Sequence, residues 1–153
     1  MSSAGSDIDY LILVYDVARL IRLRADQRAR LDGMTRAQWV ILKRLDRTPG
    51  LSQNELASIL EVEPITVGRL IDRLEARGLV ERRDDPKDRR VHRLHLTPKS
   101  KPILQEIGAA IAELSAIATA GIDETTLHTV VAALGAMKSN LNFAETPLKK
   151  SAG

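Results

Sequence analysis

Apolar positions recur at helical spacing along most of the chain, and the interruptions divide it into six helices and one hairpin. In residues 7–31, Leu11, Tyr15, Ala18 and Ile21 form a stripe at the helical period. Ile12, Leu13, Val14, Val17 and Leu20 widen that stripe past one face, so this helix is expected to be buried on more than one side. Asp32-Gly33 ends it. A second helix is expected over 35–47, with Thr35 as N-cap and Trp39, Val40, Leu42 and Leu45 inward. Thr48-Pro49-Gly50 is a turn. Ser52 with Glu55 three residues on is a capping box, opening a short helix that ends near Leu60 with Leu56, Ala57, Ile59 and Leu60 as its apolar set. Pro64 suits the first turn of the next helix, and Gly78 stops it.

That second helix of the pair has two faces. Val67, Leu70, Ile71 and Leu74 recur at i, i+3, i+4 and i+7 and face the core. Thr66, Arg69 and Arg73 lie on another face with Gly68 beside them. A short capped helix, a turn and a longer helix make a helix-turn-helix. Two alternating segments follow, 79–83 and 91–96, joined by the turn-rich run Asp84-Asp85-Pro86-Lys87-Asp88-Arg89-Arg90. They predict a β-ribbon with a cationic tip. After the ribbon, Thr97-Pro98 opens a helix to about residue 120, with Ile103, Leu104, Ile107, Ile111 and Leu114 inward. Pro102 forces a late start or a kinked first turn. Asp123 caps the last helix, whose stripe is Leu127, Val130, Val131, Leu134 and Leu141, with Ile122 and Leu127 placed as a hydrophobic staple. The fold class is therefore mainly α with a small β-wing.

Composition narrows the chemistry. Aromatic residues are 3% of the 153, so the 44% that is hydrophobic must form an aliphatic core, as in packed helices. The absence of cysteine excludes disulfides and zinc-thiolate sites. His92 and His95, three apart on a strand, point to opposite faces and cannot jointly grip an ion, and His128 is remote in sequence. Neither a metal nor a cofactor is expected. No glycine-rich phosphate loop and no nucleophile–base pair points to an enzyme. Without a membrane-length apolar run or a signal core the protein reads as cytoplasmic. Residues 1–6 and 144–153 read as mobile tails.

Charge points to a partner. Between Pro64 and Lys101 stand eleven Lys or Arg against six Asp or Glu, while the whole chain carries only +3. Such concentration on one segment is the footprint of a nucleic-acid-binding face. Thr66, Arg69 and Arg73 on an exposed helix suit the major groove, where arginine can grip guanine with two hydrogen bonds. The cationic tip suits the minor groove. The alternatives are a winged-helix module that binds protein, which the local charge argues against, and a nonspecific architectural DNA protein.

The order of elements resembles the MarR family of bacterial transcriptional regulators. The run from Arg77 to Arg83 is similar to that family's junction between recognition helix and wing. Asp85-Pro86-Lys87-Asp88-Arg89-Arg90 with Leu96-Thr97 is similar to its signature wing, and Met34-Thr35 through Gln38-Trp39 resembles the SlyA-type branch. The resemblance covers residues 7–142 and implies a homodimer, with 7–31 and 98–142 as the dimerisation region and 34–97 as the DNA-binding domain. It implies a pair of winged helix-turn-helices reading a near-palindromic operator about one turn apart. Many such proteins are repressors released by a small anionic, often aromatic ligand.

Carried onto this sequence, the resemblance places Thr66 and Arg69 on the recognition helix and Arg90 in the minor groove. Asp88 orients Arg90. Lys87 and Arg89 face phosphates. Ser52 and Gln53 start the supporting helix, where they can hold phosphates. Trp39, Thr35 and Arg19 are the residues implied for an effector site. Two departures stand out: Gly68 where a serine is common, read as a lost contact, and Ser100 where glycine is common.

Overall fold

The structure, a computed structural model that describes residues 4–143, contains six helices and two strands among those residues. In chain order they are α1 (Ala4–Leu31), α2 (Arg36–Arg47), α3 (Gln53–Leu60), α4 (Pro64–Ala76), β1 (Val80–Asp84), β2 (His92–Leu96), α5 (Ser100–Ala118) and α6 (Glu124–Phe143). The expected mainly α architecture with a two-stranded wing is present. Helix α1 begins at Ala4, so residues 4–6 of the expected N-terminal tail are helical; once a helix is nucleated, extending it costs little. The expected C-terminal tail lies outside the described residues.

The chain divides into two compact units after Leu114. The first holds α1 to β2 and most of α5. Its core is aliphatic: Ile41, Leu42 and Leu45 of α2, Leu56 of α3, Val67, Ile71 and Leu74 of α4, and Leu94 of β2 are fully buried, closed by Ile107 of α5. Ile41, absent from the expected inward set of α2, is buried, and Val40 is half-buried. Ile59, of the apolar set of α3, and Ile111 of α5, expected inward, are 43% and 46% exposed. Periodicity assigns residues to a face, and only the packed chain shows what covers that face.

Local signals set the boundaries. The hydroxyl of Thr35 accepts from the Gln38 amide (3.2 Å), and Gln38 Oε1 accepts from the Thr35 amide (2.9 Å). Ser52 and Glu55 make the same reciprocal pair at 3.1 and 2.8 Å. Each pair satisfies two amides that a helix start leaves without partners. Gly78, with φ +72°, takes the left-handed turn that ends α4 and starts β1. Helix α5 starts late, at Ser100, which puts Pro102 in its first turn where a missing N–H loses nothing. Ser100 is 2% exposed, and its hydroxyl donates to the Thr97 carbonyl at 2.7 Å, so this departure is satisfied internally.

In the second unit, Asp123 caps α6 by accepting from the Thr126 amide at 2.8 Å. That hydrogen bond, then one from the Thr126 hydroxyl, holds its carboxyl below the usual 3.8. Of the α6 stripe, Val130, Val131, Leu134 and Leu141 are exposed, as is Ile122 of the expected staple. The large apolar residues of α1 from Tyr10 to Leu23 are exposed as well, among them Leu13 and Tyr15 at 63% each, and Ala18 is half-buried.

Candidate nucleic-acid interface

Helix α4 is built to show one face and bury the other. Pro64 sits at its first turn, and Val67, Ile71 and Leu74 are 0% exposed. The opposite side carries Thr66, Arg69 and Arg73, all exposed. Neither arginine forms an ion pair among the described residues. The turn before α4 is made by Glu61, a non-glycine residue at φ +54°.

Strands β1 and β2 pair antiparallel in the register Val80↔Leu96, Arg82↔Leu94 and Asp84↔His92. Aspartates build the tip between them. Asp85 Oδ1 accepts from the Lys87 amide (2.8 Å), and Asp88 Oδ1 accepts from the Arg90 amide (3.0 Å). Each is a side chain closing a turn on the amide two residues ahead. Asp88 Oδ1 also accepts from Arg90 Nε at 3.3 Å, while the Arg90 side chain is 92% exposed. One carboxylate thus fixes both the backbone and the guanidinium of Arg90, and the tip projects into solvent. Lys87 and Arg89 beside it are exposed and form no ion pair among the described residues.

Two arginines that the pattern left without a role tie this hairpin to the helices. Arg82 of β1 reaches α4. Its guanidinium contacts Asp72 (2.7 Å), Glu75 (3.1 Å) and the Gly68 carbonyl (3.4 Å), and its amide donates to Glu75 at 3.2 Å. Arg93 of β2 contacts Asp85 (2.9 Å), Glu55 of the α3 capping box (3.0 Å) and the Gly50 carbonyl (3.3 Å). The Lys87 amide, then the Arg93 hydrogen bond, hold Asp85 below the usual 3.8. Glu55 is lowered chiefly by the Ser52 amide, and the hydrogen bond to Asp85 raises Arg93. Acid and base separated irregularly, by 7 to 38 positions, carry no periodic signal, which is why sequence reasoning missed these ties.

Ser52 and Gln53 stand where expected, at the start of α3. With Asn54 they line a cleft of about 220 Å³ whose other wall is Arg90, Val91, His92 and Leu94. Supporting helix and wing tip therefore border one groove. The Ser52 hydroxyl is engaged as a cap, and Gln53 Nε2 donates to the Pro64 carbonyl at 3.0 Å. His92 faces Asp84 across the strands at 3.2 Å.

A second cleft, about 470 Å³, lies between α1, α2 and α5. Ile21, Trp39, Val40 and Ile107 give it apolar walls, and Arg36, Lys43, Arg44 and Arg47 line it with positive charge. Trp39 is 5% exposed, and its buried Nε1 finds no acceptor among the described residues. Of the three residues implied for an effector site, only Trp39 lines this cleft. Thr35 spends its hydroxyl on the α2 cap, and Arg19 lies 3.6 Å from Asp16. The four cations sit on the polar side of α2 and are the residues that sequence reasoning missed. No group of three or more His, Asp or Glu able to hold a metal occurs among the described residues, and no described helix is long and apolar enough to cross a membrane.

A helix-turn-helix whose second helix turns Thr66, Arg69 and Arg73 outward, followed by an arginine-tipped hairpin, defines a winged helix-turn-helix regulator. The sequence profile described as the MarR family matches residues 34–92, the segment that holds α2 to the wing. The crystal structure of transcriptional regulator PA3341 is 33% identical over 87% of this chain and 98% of that one, with a TM-score of 0.75. A MarR transcriptional regulator from Methanosarcina mazei Go1 is 28% identical, covering 89% and 94%, with a TM-score of 0.74. Transcriptional regulator SlyA is 26% identical, covering 87% and 94%, with a TM-score of 0.75. The chain belongs to the MarR family of transcriptional regulators.

Proposed function

We propose that the protein is a homodimeric, sequence-specific repressor that binds a near-palindromic operator and is released by a small anionic aromatic ligand. The observation that carries the DNA reading is the division of charge. Arg69, Arg73, Lys87 and Arg89 form no ion pair among the described residues and stand exposed on α4 and the wing tip, with Arg90 presented between them. The nearby carboxylates Asp72, Glu75, Glu55 and Asp85 are turned onto Arg82 and Arg93. Phosphates would meet cations at the outer face, and these four acids are taken up by arginines within the chain.

In this reading α4 enters the major groove with Thr66, Arg69 and Arg73. Arg90, oriented by Asp88, enters the minor groove beside it. Ser52, Lys87 and Arg89 hold the backbone. Residues 34–97 form the reading head, and residues 7–31 with 98–142 form the dimerisation region. The exposed apolar residues of α1, and separately those of α6, support the dimer, because large apolar side chains left open to water in such number mark an interface. The 34–39 segment is the ground for placing the chain in the SlyA-like branch. No catalytic role is assigned to it.

Arg90→Ala tests the wing. On an operator recovered by selection from random duplexes, the variant is expected to bind more weakly than the parent, most of all where the flanks are A·T-rich and the minor groove narrow. Binding by the parent is expected to weaken steeply as salt rises, because each phosphate contact releases counterions. Equal affinities of the two proteins at one salt concentration would remove the wing from the interface.

The second cleft fits the ligand. Its apolar walls, Trp39 among them, take an aromatic ring, and Lys43, Arg44 and Arg47 attract an anion, while Arg36 is held by Asp26 at 3.1 Å. Titration with salicylate is expected to quench Trp39 fluorescence and to lower operator affinity in parallel. Unchanged fluorescence together with unchanged affinity would argue against this ligand site.

A further inference from the structure

We propose that Gln53 reads an adenine in the major groove and that Gly68 is the seat that holds it in position. The inference rests on the reading of α4 as a DNA-recognition helix. Gln53 is the first residue of α3, yet its carboxamide is carried across to α4, where Nε2 donates to the Pro64 carbonyl at 3.0 Å. A Cβ built on Gly68 would lie 2.9 Å from that Nε2 and 3.5 Å from Oε1. No side-chain carbon sits that close, so any larger residue at 68 would displace the amide. Glycine is a poor helix former. The backbone does not require one here, because Gly68 is absent from the positive-φ positions. The space filled by Gln53 accounts for it, and the glycine that reads in sequence as a lost contact becomes the means of presenting another side chain.

The hydrogen-bond inventory selects the base. A carboxamide has one acceptor oxygen and two N–H donors. The Pro64 carbonyl takes one donor and, being an acceptor, dictates that the nitrogen faces it. One donor and one acceptor remain. Adenine presents the matching pair in the major groove, an N6 donor and an N7 acceptor, whereas guanine presents two acceptors that would set its O6 against Oε1. A phosphate, with acceptors only, would leave Oε1 facing negative charge. Arg69, one residue beyond the seat and exposed, is placed to take a neighbouring guanine.

Selection from random duplexes with the full-length parent, Gln53→Ala, Gly68→Ala and the double variant tests this. The parent is expected to prefer adenine at one position of each half-site by on the order of tenfold. Both single variants are expected to lose that preference at that position alone. The double variant should select the same sequences as either single one, because both act through one carboxamide. Gly68→Ala is expected to keep or raise the melting temperature, so its altered preference would not come from unfolding; Gln53→Ala reads the same contact without touching the helix. A Gly68→Ala variant with the parent's preferences would overturn the seat. A Gln53→Ala variant weakened equally on all sequences would overturn base reading in favour of a phosphate contact. A parent that selects no sequence would overturn the recognition-helix reading beneath both.

Discussion

Replacing Arg69 by alanine is expected to weaken operator binding by about 1–3 kcal/mol, roughly 5- to 150-fold, and to relax specificity at a single base pair. The size follows from what the side chain has available. Arg69 is exposed on the outer face of α4 and forms no ion pair among the described residues, so its five N–H donors need not be withdrawn from another partner. A bidentate contact to guanine contributes most when nothing competes for the guanidinium. Arg82 shows the contrast: held by Asp72, Glu75 and the Gly68 carbonyl, it has no such freedom. A base-pair substitution series separates base from phosphate contact. Loss confined to one position identifies a base contact, and equal loss on every sequence would make Arg69 a phosphate contact instead.

Ile71→Ala is expected to destabilise the protein by about 2–5 kcal/mol, the range for removing a large aliphatic side chain from a packed core. Ile71 is 0% exposed and lies among Leu42, Leu45, Leu56 and Leu94, the residues that join α4 to α2, α3 and the wing. Domains are commonly stable by only about 5–15 kcal/mol, so the loss is a large share of the total. Urea unfolding should show a lower midpoint with an unchanged slope. A shift below about 1 kcal/mol would mean that α4 is not anchored through this residue. The same side chain bears on function: Arg69 and Arg73 flank Ile71 along the helix, and their aim depends on its packing.

Much of this architecture was legible from local signals. Thr35, Ser52, Pro64, Gly78 and Asp123 each mark a boundary by a mechanism that acts within a few residues, and each marks one in the structure. The two faces of α4 follow from the helical period, and Val67, Ile71 and Leu74 are buried accordingly. Less legible was whatever depends on a distant segment. Ile59 and Ile111 share the period of buried neighbours but lie at the margin of the core. Arg93 meets Glu55 across 38 positions, and no local pattern announces that meeting. By its place at the start of a helix Gln53 reads as a contact to the DNA backbone; its turn toward Pro64 exists only once α3 and α4 cross. The cations around Trp39 were hidden for a related reason. On α2 alone Arg36, Lys43, Arg44 and Arg47 are an ordinary polar face, and α1 and α5 make that face a cleft wall.

The paired arginines at the root of the wing change what the charge of this region means. Eleven basic residues between Pro64 and Lys101 imply a strongly cationic surface if they are simply counted. Arg82, Arg83 and Arg93 already hold carboxylates within the chain, so a polyanion approaching the hairpin would meet a dipole, near neutral at its base and positive at its tip. The slope of affinity against salt would accordingly record Arg90, which Asp88 orients outward, and the handful of arginines and lysines without carboxylate partners. The electrostatic reach of the wing is set by how its acids are spent as much as by how many bases it carries.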